Sequence, residues 1–414
     1  MRSDSPPMLT GSRDAGEWRL PAMWLVLLIA GCTRGGGGAV PTMTVDTVGT
    51  RIEVRNTGTA AWTAETAWHF EEDLRLGTAM ATGDASEQFG SIRSIASDSQ
   101  GRIFVLDGMV DEIRVFGPTG AYSHSIGGHG RGPGEFSGAS ALDVGRGDTL
   151  TVLDDGLMRF SVFAPDGTLV ANHRRDIVGV GAPLRSSLRD GGYLDWALAF
   201  PDGRFGARVL LYPVRYAPGL ERADTFSPIE AVQRMVSSGR MPLLDFGGFP
   251  VASADRTGIV WFAHPQEYRI FRRGLEGDTT LEFRLRTAAA PLGEPEREYV
   301  RRRWSNRPDI LAEQLEALPE TKPIIYGIVP DNAGHVLVFV DVAGEETGTV
   351  VDVFREEGEF LGRVKLPIRV PLRPGRPPVV RATRDYLYAV VEDEMEIPYV
   401  SRLRKIEGRQ PSRQ

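Results

Sequence analysis

The sequence predicts an all-β fold: a six-bladed β-propeller of four-stranded antiparallel blades, with short helical insertions. Two observations carry this, an internal repeat and the strand-like alternation within it. Residues 89–120 and 136–167 align without a gap: Phe89 matches Phe136, Asp107 matches Asp154, Phe116 matches Phe163 and Gly120 matches Gly167, each at a spacing of 47. A fixed period of this size marks a repeat architecture. Shared among four strands, it leaves roughly 12 residues for each strand and its turn, an ordinary length. Units of this kind expose strand edges, and closing them in a ring removes those edges.

In chain order, residues 1–31 read as a signal peptide. The apolar run "AMWLVLLIA" at 22–30 is far shorter than the ~20 residues of a membrane-spanning helix but matches a signal-peptide core. The stretch Leu28-Ile29-Ala30-Gly31-Cys32 resembles the lipobox of bacterial lipoproteins, in which the cysteine is lipidated and becomes the mature N-terminus. That resemblance implies a cell-envelope protein held by a lipid on Cys32, and Thr33 after the cysteine implies the outer membrane. Cys32 is the single cysteine, which leaves no internal disulfide and no paired-cysteine metal site. Residues 32–44 form the lipidated cysteine and a tether in which Gly35–Gly38 supply conformational freedom.

The propeller is expected over 45–408, ahead of a disordered tail at 409–414. "RIEVRN" at 51–56 alternates as a strand does, with Ile52 and Val54 on one face. After the two strong repeats, weaker copies occupy 188–204, 250–277, 327–362 and 379–408, making six units. Two segments break the β pattern. Ser227-Pro228 starts a short helix over about 228–237, with serine as cap and proline in the first turn. Residues 293–320 read as two helices broken near Asn306 and restarted by Pro308, with Ile310, Leu311, Leu315 and Leu318 as an apolar stripe. The arginines at 301–303 read as a solvated helix face. The last ladder is expected to be completed from both chain ends, by residues 45–56 or 66–77 joining the final blade.

The stretch "GGHGRGPGEF" at 127–136 poses a choice between a phosphate cradle and a turn. A dinucleotide loop needs G-x-G-x-x-G, but counted from Gly128 the last position is Pro133, and from Gly130 it is Glu135. No lysine lies nearby to complete a phosphate-binding loop, and another blade follows rather than a helix. The segment is a junction between repeats, where glycine supplies the backbone angles. With the "VLD" strand ends at Asp107 and Asp154 and "IRVF" at 113–116, it resembles the NHL-repeat type of six-bladed propeller. The resemblance implies an architecture that hosts many unrelated functions, so function has to come from the site.

Hydrophobic residues at 41%, charged residues at 25% and a net charge of -7 describe a folded body without the basic stripe of a nucleic-acid partner. Of the 48 basic residues, only Lys322, Lys365 and Lys405 are lysines. Some NHL-type propellers hold a catalytic metal in the central channel, and a catalytic zinc needs about three protein ligands at one point. Of the six histidines only His264 falls at a strand end equivalent to Asp107 and Asp154. Asp107, Asp154 and His264 are therefore the candidate zinc or calcium ligands, with no cofactor as the simpler expectation, since strand-end aspartates also serve turns. Trp196, Trp261 and Trp304 are read as core before sugar platforms, and the acidic run from Glu392 to Glu396 as a solvated loop. No nucleophile or metalloprotease motif is present. The expected function is a lipid-anchored extracytoplasmic binding module for a protein, peptide or glycan, with a monomeric body and no membrane contact beyond the lipid. The alternative is a metal-dependent lyase or hydrolase in the central channel.

Overall fold

The computed structural model describes residues 42–408 apart from 78–86, 176–185, 200, 202–207, 221, 233–243, 248–249, 342–347 and 374–375. The signal peptide, Cys32, most of the tether and the 409–414 tail lie outside the described residues. Three strands come first, β1 (Met43–Val48), β2 (Arg51–Asn56) and β3 (His69–Leu76). Blade 1 is β4 (Ile92–Ser97), β5 (Ile103–Asp107), β6 (Glu112–Phe116) and β7 (Tyr122–Gly127). Blade 2 is β8 (Ala139–Val144), β9 (Leu150–Asp154), β10 (Arg159–Phe163) and β11 (Leu169–Arg174). Each strand of blade 2 starts 47 residues after its counterpart in blade 1, so the period read in the sequence is the blade itself.

Blade 3 holds β12 (Ser186–Ser187), β13 (Tyr193–Ala199), β14 (Arg208–Tyr216), β15 (Arg222–Thr225) and β16 (Ile229–Val232). Blade 4 holds β17 (Val251–Ala254), β18 (Val260–Ala263), β19 (Arg269–Arg273) and β20 (Thr279–Leu285). Helices α1 (Glu294–Arg303) and α2 (Pro308–Ala317) follow, then blade 5 with β21 (Ile325–Pro330), β22 (His335–Val340), β23 (Thr349–Arg355) and β24 (Phe360–Leu366). Blade 6 is β25 (Val380–Ala382), β26 (Tyr386–Glu392) and β27 (Pro398–Ile406), with β3 as its fourth strand. Within each blade, neighbouring strands pair antiparallel.

The first part of one expected helix is a strand, and its remainder, 233–237, lies outside the described residues. At 229–232 the chain pairs with Arg208–Leu211 of β14, so two short strands, β15 and β16, share the outer edge of blade 3. Ile229 is buried against Leu211 and its neighbours. Arg273 donates to the carbonyls of Ser227 and Pro228, which uses the turn ahead of the strand. A sheet edge that offers a ladder and a buried site overrides the local helix signal of Ser-Pro.

The core is six clusters, one in each cleft between neighbouring blades. Phe104, Phe136 and Phe163 fill the space between blades 1 and 2, Phe160, Tyr193 and Tyr216 that between 2 and 3, and Trp196 with Phe262 that between 3 and 4. Phe283 and Phe354 join blades 4 and 5, Phe339 and Leu387 join 5 and 6, and Phe89, Ile103 and Tyr388 join 6 and 1. Apolar alternation along a blade strand therefore faces two neighbours rather than one core, and the middle strands are buried throughout.

The N-terminal segment straps blades 4, 5 and 6 together from outside. Strand β2 pairs parallel with β20, adding β2 and β1 to blade 4. Asn56 then donates to the carbonyls of Arg284 and Gly358 and accepts from the amide of Phe360. The amides of Ala61 and Trp62 bond the carbonyls of Phe360 and Leu361. Finally β3 pairs antiparallel with β27 from His69↔Ile406 to Leu76↔Val400. Residues 69–76 thus complete the final blade, while 43–56 extend blade 4 instead. Replacing Asn56 with Ala removes its bonds to two carbonyls and one amide, and the buried pair, Gly358 O and Phe360 N, costs about 1–3 kcal/mol for each group left without a partner. Urea unfolding of N56A should show a loss of that order; an unchanged midpoint would contradict the strap.

Candidate functional site

Antiparallel alternation sorts the connections by face. Each inner strand ends in a short turn on one face of the ring, and each second strand ends on the other. That second face, the connector face, also receives the described links between blades, including α1 and α2, the glycine segment 127–136, and residues 367–373 and 376–379. The turn face carries tight loops. In three of them an aspartate, Asp98, Asp255 or Asp331, accepts two backbone amides through one oxygen. Their shared spacing to Gly101, Gly258 and Gly334 is legible in the sequence as D-x-x-G.

The glycine segment is structural. Gly127 is at φ 84, and a Cβ there would lie 2.1 Å from Cε2 of the fully buried Phe136. The loop closes on itself through Phe136 N to Gly128 O and Gly130 N to Phe136 O, both 2.8 Å. Glu135 accepts the amide of Gly132, and Arg159 ties down the carbonyls of Gly132 and Glu135. Its amides and carbonyls serve its own turn.

Asp107, Asp154 and His264 do not form a metal centre. Asp107 is fully buried and accepts the amides of Gly90, Ser91 and Met109, with Arg114 at 3.5 Å. Asp154 likewise accepts from Ser137 and Leu157. They bind connector to turn in blades 1 and 2. His264 lies in blade 4, where its carbonyl accepts from Glu267. Among the described residues no three His, Cys, Asp or Glu side chains converge as a metal site. Trp196 and Trp261 are core, and Trp304 donates its indole N–H to Asp245 at 2.6 Å.

What the geometry does assemble is a row of three adjoining cavities, here called the trough. The central channel, about 250 Å³, is lined by all six inner-strand regions, from Ser94 and Ser140 to Ser186, Ser253, Ile328 and Val380. Through Arg93, Pro377, Pro378 and Val379 it shares its wall with a cavity of about 530 Å³ on the connector face. That cavity shares Pro371, Arg373 and Glu392 with a third, about 610 Å³, which ends against Tyr299 and Arg302 of α1. Arg373 holds Glu392 at 2.6 Å across the middle, so this acid is a wall residue rather than part of a solvated loop. At the far end Lys322 pairs with Asp341 at 2.7 Å and Glu296 at 3.4 Å. Burial, with Asp341 and Glu296 close by, pushes the neighbouring Tyr326 hydroxyl well above its ordinary value, so it stays a neutral donor.

The α1 wall is held rigidly. Glu296 caps the first turn by accepting the amide of Gly293, and Pro308 starts α2. Asp245 joins the segment before blade 4 to both helices: its carboxylate accepts from Trp304 and pairs with Arg303 at 3.0 Å, and its amide donates to Gln314. Burial raises the Asp245 carboxyl above the usual range, against the opposing pull of Arg303 and Trp304. Phe246, next in the chain, sits at φ 62 and meets Tyr299 edge-on at 6.1 Å. A bulky residue held in the left-handed region is strained and marks a wall built to shape. The arginines at 301–303 thus differ in role: Arg301 pairs with Glu294 and Glu298, Arg303 with Asp245, and Arg302 faces the trough.

The repeats, the six sheets and the closing strand together decide the architecture. The chain is a six-bladed β-propeller. Residues 81–179 match the model of a family, DUF5128, described as a 6-bladed beta-propeller, a span that contains blades 1 and 2. No curated protein matches the chain. A solved protein from Bacteroides fragilis, described as exported, is similar with a TM-score of 0.51 and 13% identity, covering 86% of this chain and 100% of its own. Streptogramin B lyase is similar with a TM-score of 0.41 and 12% identity over 83% of this chain and 88% of its own. Virginiamycin B lyase from Staphylococcus aureus gives 0.39 and 10%, over 82% and 99%. At 13% identity the first of these likenesses speaks for the fold alone, and nothing is drawn from the other two.

Replacing Asp107 with Ala strips three amides of their acceptor beside Arg114. A stability loss of about 3 kcal/mol or more is expected in urea, with no change on adding or chelating zinc or calcium. A melting temperature of the parent protein that rises with either metal would restore the metal reading.

Proposed function

We propose that this propeller is an extracytoplasmic, lipid-anchored binding module that takes an extended segment of a protein or peptide along the connector face. The observation that carries the reading is the trough, a row of adjoining cavities from the channel mouth to α1. Its walls combine rigid apolar surface with a few charged groups, as binding clefts do. Pro371, Pro377, Pro378 and Pro398 supply surface that loses no side-chain freedom on binding. Met109 and Met395, exposed at 71% and 63%, stand on connector-face turns of blades 1 and 6, and exposed methionine suits an adaptable contact with protein. A glycan platform would need an open aromatic face, but Phe246 and Tyr299 are turned edge to face.

The anchor rests on the lipobox-like Leu28–Cys32, and the Bacteroides fragilis protein described as exported is consistent with an extracytoplasmic site. Among the described residues no helix is long and apolar enough to cross a membrane. Attachment through Cys32 predicts that labelled fatty acid enters the parent protein and not C32A.

Binding is tested by placing a photo-crosslinking residue at Tyr299 or Glu396 in the trough, and at Asp166 on the turn face, in the membrane-bound protein. Discrete protein adducts are expected from the first two positions and not from the third. Adducts from Asp166 alone would move the binding face to the other side of the ring.

A further inference from the structure

We propose that the central channel is a receptor for a carboxylate, which enters from the trough and is held by Arg93 at the connector-face mouth. The inference rests on the trough as the binding surface and adds the chemistry of what its inner end accepts. Two charged residues line the described channel, Arg93 and Arg381, and both are cationic. The remaining polar lining is hydroxyl and amide, from Ser94, Ser140, Ser186, Ser253 and Asn332. No lining residue is acidic, in a chain whose net charge is -7.

The two arginines differ in what holds them. Arg381, in blade 6, reaches past the small Ala96 of blade 1 to pair with Asp143 of blade 2 at 2.5 Å. Asp143 is itself almost fully buried and accepts the amide of Ser187. Arg256 crosses from blade 4 to the carbonyl of Val144 at 2.9 Å. These two side chains brace the turn-face end of the channel. Among the described residues Arg93 has no carboxylate partner: its guanidinium donates to the carbonyl of Ala139, and its stem lies over Gly108, where a Cβ would come within 2.0 Å of its Nε. Its four remaining N–H donors are free to bind an incoming anion in the planar, two-pronged way that suits a carboxylate.

Charge around the closed end favours the same sign of ligand. Burial lowers the Arg256 guanidinium from its ordinary value; Asp143 and Asp148 oppose this, while Arg381 and Arg189 add to it. Among the described residues Asp143 and Asp148 act against Arg256, Arg381 and Arg189, which leaves one cation in excess at this end, and a narrow low-dielectric tube concentrates that field. At about 250 Å³ the channel holds a carboxylate with a short stem, such as the end of a peptide chain or a free dicarboxylate.

Titration calorimetry of the full chain in detergent with trialanine, trialanine amide, glutarate and glutaramide separates these sources. Carboxylate probes are expected to bind more tightly than their amides by roughly tenfold or more, the worth of a charge-assisted hydrogen bond. R93Q should abolish that preference and R93K retain part of it, with both variants melting as the parent does. Preference for trialanine alone identifies a peptide terminus, and preference for glutarate alone a free acid. Equal binding of acid and amide, binding of no carboxylate, or a preference that survives in R93Q would overturn the proposal. The crosslinking outcome at Tyr299 is independent of the channel, so the trough can stand where the channel fails.

Discussion

The whole ring depends on the antiparallel ladder between β3 and β27. Six blades packed side by side bury their faces against each other, and the arrangement gains its last interface only if the first and sixth blades meet. Strand β3 comes from the start of the chain and the other three strands of blade 6 from its end, so the closing step joins residues more than 320 positions apart. Such a closure costs conformational entropy once, and the length of the loop adds little to it. In return it completes the cluster of Phe89, Ile103 and Tyr388 between blades 6 and 1.

The same chain end does more than close. Before it reaches blade 6 it extends blade 4 and bonds to blade 5, with Asn56 and Trp62 as the fastenings. Glu282, fully buried as a side chain, lies among Arg51, Arg269 and Arg284 where β2 meets β20. Burial would raise its pKa, but the hydrogen bonds from Arg269 and Arg284 prevail and lower it. Since that carboxylate is favoured in the folded state, its contribution is present at neutral pH and is lost as pH falls through its lowered value. Buried charges here bind strands to one another rather than form reactive centres, as Arg175 does with Asp195 and Asp155.

The binding face we propose follows from the sorting of connections. The alternation of four strands per blade sends the described inter-blade links to one face, so that face can grow insertions without disturbing the ladders. The helices, the strained Phe246 and the connector around Arg373 all lie there. The turn face is instead braced by aspartates in tight turns and by Arg256 and Arg381 reaching across the axis. A ligand approaching the channel therefore meets an open, shaped surface on one side and a braced end on the other.

The 47-residue repeat, the strand-end aspartates and the helix restart at Pro308 are visible in the sequence because each is set by local pattern: alternation, turn chemistry and the constraint of proline. Residues 229–232 misled for the same reason, since local preference favoured a helix and only the exposed edge of β14 made them a strand. Asp107 and Asp154 could be identified as important but not assigned, because a carboxylate that binds amides and one that binds metal look alike until their neighbours are known. Arg93, Arg373 and Phe246 carried no sequence signal as a site. The sequence by itself determined the blade and its number. The tertiary structure decided which links share a face, which charges are paired and where the trough runs, because these depend on groups that only ring closure brings together.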